Sequence, residues 1–470
     1  MGITTQNFNN GDFVLSSSKR VITCTSTNVN QPRYRFYLEV IYGGKTYAYT
    51  FRPNNANYGI IDITAILQNL VIHINTQQVL TVPKSIQASG QTNDFQQNLH
   101  SIPHQKYSGS AYVPQYLSTG GTGAKKIDLK LYDFFAANSN VAPSKQGSSV
   151  NSSLYLLSGY NKSTDLINYD FTNYKLDGTS KYFLNGNYNA EGNILSIDAA
   201  LTDYGTMAIL NRTTDVNTGA DGANKFLVQY YNAADQLQDS QYFLNTTDYG
   251  GKYVASGVSD DSMIIYFGCY PANLDKLPAT YDRPKDITGL AYYDVMAVNN
   301  GGAQSSRKYR FNIINRCDKY EPQRLAYINN FGVWEYITFN KDRTNRITNN
   351  KKEIKTSIYN YQQSYATITA GYNEKPFVPG VSHESAKNVS TNVSETFTIK
   401  TGYLLDYQIK QVKDLFISSQ VNYINENGTA LAVILTNKTI EDAIVSRKFD
   451  QTEYSLSFKY SIETYNPILL

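Results

Sequence analysis

The strictest constraint in this chain is an alternation of period two. Tyr454, Leu456, Phe458, Tyr460 and Ile462 alternate with Ser455, Ser457, Lys459, Ser461 and Glu463. Successive side chains of a strand point to opposite faces, so a slip of one residue would turn all five apolar groups outward. The same pattern recurs along the chain. Arg35 to Tyr42 and Lys45 to Phe51 flank Gly43-Gly44, a dipeptide that supplies the positive φ of a tight hairpin. Lys126 to Tyr132 alternates cleanly. Phe226 to Tyr231 and Ser240 to Leu244 flank a polar turn, and Met263 to Phe267 reads as a fully buried strand. Leu290 to Val298 and Tyr309 to Ile314 flank Asn299-Asn300-Gly301-Gly302, a further hairpin signal.

Two stretches carry helical spacing instead. Ile63, Ile66, Leu67 and Leu70 form one apolar stripe behind Asp62, which stands at an N-cap position. Leu405, Ile409, Val412, Leu415 and Phe416 form a second, with Lys410, Gln411, Lys413 and Asp414 between them. Residues 86–124 are polar and read as a long exposed loop; 137–153 reads as a linker. No repeat of 20–50 residues is visible. The expectation is a mainly β protein of two or three β-sandwich-like domains with a few short α-helices. Residues 1–150 would form an N-terminal sandwich with a hairpin and short helix, 151–315 a middle β domain, and 316–470 a β-rich domain with one amphipathic helix.

Charge narrows the partners. Lys+Arg is 42 and Asp+Glu 39, a net +3 over 470 residues, so specific nucleic-acid binding is not expected. The one dense basic run, Asn349 to Lys355, reads as a solvated turn. The first residues lack the basic and apolar regions of a secretory signal, and the most apolar stretch, Ile60 to Ile74, is interrupted by Asp62, Gln68, Asn69 and His73. Membrane insertion is not expected. Cys24, Cys269 and Cys317 are far apart and read as small buried hydrophobes.

The search for chemistry yields little. His100 and His104 are four apart, but Pro103 between them blocks a regular helix, and two loop histidines are the plain reading. His73 reads as core. No GxSxG elbow, phosphate loop or dinucleotide fingerprint is present. Asp215 to Gly222 resembles a calcium loop but fails the template: Ala220 stands at the sixth position and Phe226 at the twelfth. Asp260-Asp261 reads as a turn, and no pair of carboxylates is recognisable. No enzyme activity, cofactor or metal is expected. Tyrosine, at 41 residues, is the compositional signal that remains. It buries a large rigid area and keeps a polar tip, which suits both sheet faces and interfaces between proteins.

Residues 315–339 carry Cys317, Tyr320, Arg324-Leu325, Asn329, Gly332, Trp334-Glu335 and Phe339. This order resembles a pattern in structural tail and neck proteins of tailed bacteriophages infecting Bacteroidota, the crAss-like group among them. The resemblance extends to Arg33–Val71, to Asp203-Tyr204-Gly205-Thr206-Met207-Ala208 and to the terminal strand. It implies a virion tail component, made in the host bacterial cytoplasm, such as a hub, ring or adaptor. Such a protein works by homo-oligomeric ring assembly and by docking tail, neck or fibre proteins. The alternative is a tail or fibre module that binds a host-surface glycan. The pattern carries no catalytic residues. Its members are expected to pack, with Trp334 and Phe339 in a core, Gly332 at a hairpin or close approach, and Arg324 paired with Glu335 or Glu321. The polar stretches 86–124 and 340–400 are candidate arms between subunits.

Overall fold

A computed structural model describes residues 2–6, 8, 12–70, 99–101, 105–106, 112–113, 124–160, 171–174, 176–186, 189–191, 194–210, 223, 225–244, 264–277, 281–299, 301–315, 319–355, 386–440 and 453–461. The chain is mainly β, and the described strands form five sheets.

The first unit is built from β1 (Ile3–Gln6), β2 (Asp12–Leu15), β3 (Val21–Ser26), β4 (Arg35–Tyr42), β5 (Lys45–Phe51), β6 (Tyr58–Asp62) and α1 (Thr64–Leu70). The short β7 (Gln105–Lys106) and β8 (Tyr112–Val113) come next, then the long β9 (Ala124–Phe135) and β10 (Ser144–Leu157). A three-stranded sheet, β1-β3-β6, faces a five-stranded one, β2-β10-β9-β4-β5. Between them lie Ile22, Cys24 and Ile61 from the first, and Phe36, Leu38, Val40, Leu129, Leu131 and Leu156 from the second. Gly59 lets the sheets approach: a Cβ there would sit 2.6 Å from the Phe36 ring. The Gly43-Gly44 hairpin forms as the sequence demands, with φ of +58° and +74°. Helix α1 starts at Thr64, one residue later than expected, and Asp62 Oδ1 accepts the Thr64 amide at 3.0 Å.

The second unit holds β11 (Asn189–Glu191), β12 (Ile194–Ala199), β13 (Met207–Leu210), β14 (Lys225–Asn232), β15 (Leu237–Leu244), β16 (Ile264–Phe267), α2 (Pro271–Leu274), β17 (Leu290–Val298) and β18 (Lys308–Ile313). Its eight-stranded sheet runs β11-β12-β18-β17-β14-β15-β8-β7, so two strands from the first third extend it. A two-stranded β13-β16 sheet is buried against it through Phe226, Phe243 and Phe267.

The third unit contains β19 (Gln323–Ile328), β20 (Trp334–Phe339), β21 (Arg343–Lys355), β22 (Ala386–Lys400), α3 (Asp406–Ile417), β23 (Val421–Ile424), β24 (Ala430–Leu435) and β25 (Ser455–Tyr460). They form one sheet ordered β20-β19-β23-β24-β25-β22-β21. Val412 and Leu415 of α3 join a core with Leu325, Tyr327, Phe397 and Phe458. The other face of β19 and β20 packs on the middle unit through Ala326, Trp334 and Tyr336. These strands are therefore buried on both faces, which is why β19 shows no polar alternation.

Four sequence expectations change. Residues 137–153 are not a linker: Ser144–Leu157 is a strand that pairs with β9 and crosses residue 150. Its Ser-rich start hides the pattern, and pairing with Leu129 and Leu131 overrides weak local propensity. The 86–124 stretch is not wholly exposed, because Leu99, His100 and Ser101 form a buried turn. The basic run 349–355 is no turn but part of β21, paired with β22 across a bulge between Lys352 and Glu353. Gln411, which the helical period places among polar residues, is buried. Cys317, His73, His104, His383, Met263, Ile462, the 215–222 loop and Asp260-Asp261 lie outside the described residues.

Candidate functional site

The motif segment spans the β19–β20 hairpin. Asn329 organises its turn. Its Oδ1 accepts the amides of Phe331 (2.9 Å) and Val333 (3.3 Å), and its Nδ2 donates to Leu184 O and Glu335 Oε2, both at 3.0 Å. Gly332 has φ +79°, and a Cβ there would lie 2.5 Å from Ser158 O. The turn needs glycine both for its backbone and for the approach of a neighbouring strand end. Trp334 and Phe339 are both buried, in different cores, because they sit on opposite faces of β20. The indole N–H of Trp334 has no hydrogen-bond partner among the described residues. Tyr320, by contrast, is 38% exposed.

Arg324 does not pair with Glu335 or Glu321. In register it stands opposite Thr338, while Glu335 stands opposite Tyr327 and is turned to Asn329. The guanidinium instead reaches the second motif. Nε donates to Tyr204 O at 2.5 Å, Nη1 donates to Thr338 Oγ1 at 2.8 Å, and Nη1 lies 3.4 Å from Asp203 Oδ2. It also lies over the Tyr270 and Tyr336 rings. Two segments singled out separately in the sequence, 203–208 and 315–339, thus meet at one buried ion pair.

A histidine completes this node. His100 is fully buried, with Nδ1 3.0 Å from Tyr336 Oη and Nε2 2.9 Å from Asn422 Nδ2. Asn422 donates to Nε2, so Nδ1 carries the proton and donates to Tyr336, which is 2.8 Å from Thr206 Oγ1. Asn273 Nδ2 holds the His100 carbonyl at 3.1 Å, and its Oδ1 accepts the Gly205 amide at 2.8 Å. The ring meets Trp334 edge-on with centroids 4.7 Å apart. Burial, with the nearby Arg324 charge, lowers the His100 pKa to about 3, so the ring is neutral. Both nitrogens are engaged, which corrects the loop-histidine reading and leaves no lone pair for a metal. Nothing in the primary structure marks His100 for this place; its partners are 236 and 322 residues away.

The surface carries a second kind of arrangement, twice. On the outward face of the five-stranded sheet, Tyr37 meets Tyr132 edge-on (6.2 Å) and stacks on Phe134 (5.2 Å). Lys145 Nζ lies 4.9 Å and 5.1 Å from the two tyrosine ring centroids and pairs with the nearly buried Glu39. That hydrogen bond raises the Lys145 pKa. On the eight-stranded sheet, Tyr231 and Tyr292 stack at 5.0 Å, with the Arg310 guanidinium 3.8 Å from the Tyr292 centroid. Asp294 grips Arg310 through two hydrogen bonds of 2.8 and 3.1 Å. Each patch is an aromatic pair capped by a cation that a shielded carboxylate fixes in place. Alternation alone puts Tyr37 and Glu39 on one face; their partners come from other strands, which the sequence does not align.

Two carboxylates come together at Asp239 and Asp282. Asp282 lies in hydrogen-bond contact with Asp239, and burial together with that neighbour raises its pKa to about 6. Such contact is closer than the ~5–9.5 Å separation of paired glycosidase carboxylates. No cluster of three or more His, Cys, Asp or Glu suited to a metal occurs among the described residues. No described helix is long and apolar enough to cross a membrane. No known family model matches the chain, and no curated protein matches it.

Proposed function

We propose that this protein is a structural component of a bacteriophage tail, a hub, ring or adaptor subunit that assembles with copies of itself and docks neighbouring tail proteins. The observation that carries the reading is the pair of aromatic–cation patches on two outward sheet faces. Tyr and Arg are enriched at protein interfaces; the Tyr231–Tyr292 patch holds both, the Tyr37–Tyr132 patch carries Lys145 in the place of Arg, and both are ordered before any partner arrives. The resemblance of 203–208 and 315–339 to phage structural proteins supports it, since those segments meet in the node that joins the middle unit to the third. Native mass spectrometry of the purified protein and proteomics of particles test it. A multimer of fixed copy number and recovery in the tail fraction are expected; a monomer absent from particles would sink the idea.

A second reading, recognition of a host-surface glycan, is favoured by the Tyr37–Tyr132 patch, because flat aromatic faces beside a fixed Lys145–Glu39 pair suit sugar stacking and hydrogen bonding. Glycan-array binding abolished by Tyr132→Ala, with the multimer intact, would establish it over pure assembly.

A further inference from the structure

The β21–β22 ribbon carries a concentrated positive charge. Its two strands hold seven Lys and Arg against two Glu, a formal +5, so the rest of the chain, at +3 overall, sums to −2. The charge is also organised. Arg346 stands opposite Thr396, and Thr396 stands opposite Lys459 on β25. At ~4.8 Å between strands, the two cations are ~10 Å apart on one face. Lys352 follows six residues along from Arg346 on that face, ~20 Å further at ~3.4 Å per residue. All three are exposed, and no carboxylate among the described residues pairs with them. Thr348 and Ser394 lie between that row and Lys352, and Thr344 and Thr398 flank it on the other side, all of them neutral hydroxyls. Arg343 is excluded from the set: it faces the core side, bound to Gln323 and Tyr460 and stacked on Phe397.

The surroundings select the ligand. β21 is the last strand of its sheet, and β22 pairs with β25 only over Thr396–Lys400. Beyond that point the two strands continue without a third among the described residues. No aromatic anchor marks this face, whereas protein partners are held by buried aromatic hot spots. A positive, polar face without one matches nucleic-acid interfaces, where Arg, Lys, Ser and Thr bond phosphates. A two-stranded ribbon also fits the ~12 Å major groove.

We propose that the β21–β22 ribbon, with the adjoining face of β25, binds the phosphate backbone of double-stranded nucleic acid without reading bases. This goes beyond the assembly reading and does not depend on it. The experiment is fluorescence anisotropy of the full chain with a labelled duplex DNA of arbitrary sequence, across a salt series. With three to five phosphates neutralised, log K against log salt falls with a slope of about −3 to −4.5. A triple charge reversal, Arg346→Glu with Lys352→Glu and Lys459→Glu, lowers affinity at least tenfold and flattens the slope by about 3. Because the three side chains are exposed, melting temperature and native mass stay unchanged, so a lost multimer is distinguishable from lost binding. Duplex affinity indifferent to the triple reversal overturns the proposal. So does tighter binding of a sulfated polysaccharide with no duplex binding at low salt. New association of the variant with DNA affinity unchanged overturns it too, by showing that the cations only keep the edge from pairing.

Discussion

Acid should loosen the junction of the middle and third units through His100. The neutral ring is hydrogen-bonded on both nitrogens and packed on Trp334, so a proton has no acceptor to meet there. The folded pKa is about 3 against 6.5 for a free histidine. A lowered histidine pKa means the unfolded chain binds more protons below pH 6.5. Stability is therefore complete above 6.5 and is lost as pH falls toward 3. Integrating between these two values gives a loss of about 2 kcal/mol at pH 5 relative to pH 8. The assay is urea denaturation at pH 8, 7, 6 and 5, followed by the fluorescence of Trp334, the single tryptophan. His100→Gln is the control. At pH 8 it is less stable than wild type by about 1–3 kcal/mol through imperfect hydrogen bonds, and because it cannot titrate this site adds no loss of its own as pH falls. The difference between wild type and variant should shrink by about 2 kcal/mol from pH 8 to pH 5. Parallel curves over that range would refute the reasoning.

Three further tests address the same frame. Arg324→Gln leaves Asp203 nearly buried without its cation, and a loss of about 3–5 kcal/mol in denaturant unfolding is expected; a change under 1 kcal/mol would deny the pair its role. Gly332→Ala forces a Cβ to within 2.5 Å of Ser158 O at φ +79°, so the melting temperature should fall by several degrees, while Gly301→Ala, with its nearest contact at 3.5 Å, should fall far less. Asp282→Asn removes a carboxyl whose raised pKa costs stability as pH climbs from 3.8 through about 6; its melting temperature should exceed wild type at pH 8 and match it near pH 4, and the reverse order would refute the Asp239 contact.

The elements with strong local signals were legible in the sequence. The β25 alternation, the Gly43-Gly44 hairpin and the stripe of α3 needed only side-chain period and turn chemistry. β10 was not, because its first half is Ser-rich and owes its strand state to β9. The motif hairpin was readable as packing, yet Arg324's partner was not. Register, not sequence distance, decides which carboxylate it meets, and Asp203 is more than a hundred residues away. The aromatic–cation patches were half visible: Tyr37 and Glu39 share a face by parity, but Lys145 joins them only across a bulged strand pair. His100 gave no signal at all, since a neutral buried histidine looks in sequence like any other.

The strand β10 has a mechanical consequence. It lies parallel to β2, and its end runs straight into the motif hairpin, where Tyr160 N donates to Asn330 O at 2.9 Å and Tyr160 Oη donates to Asp414 of α3 at 3.0 Å. Tension between the first and third units would load this seam lengthwise. Its bonds would then give way together rather than unzip one at a time, so the seam should act as a stiff tie rod and not as a hinge.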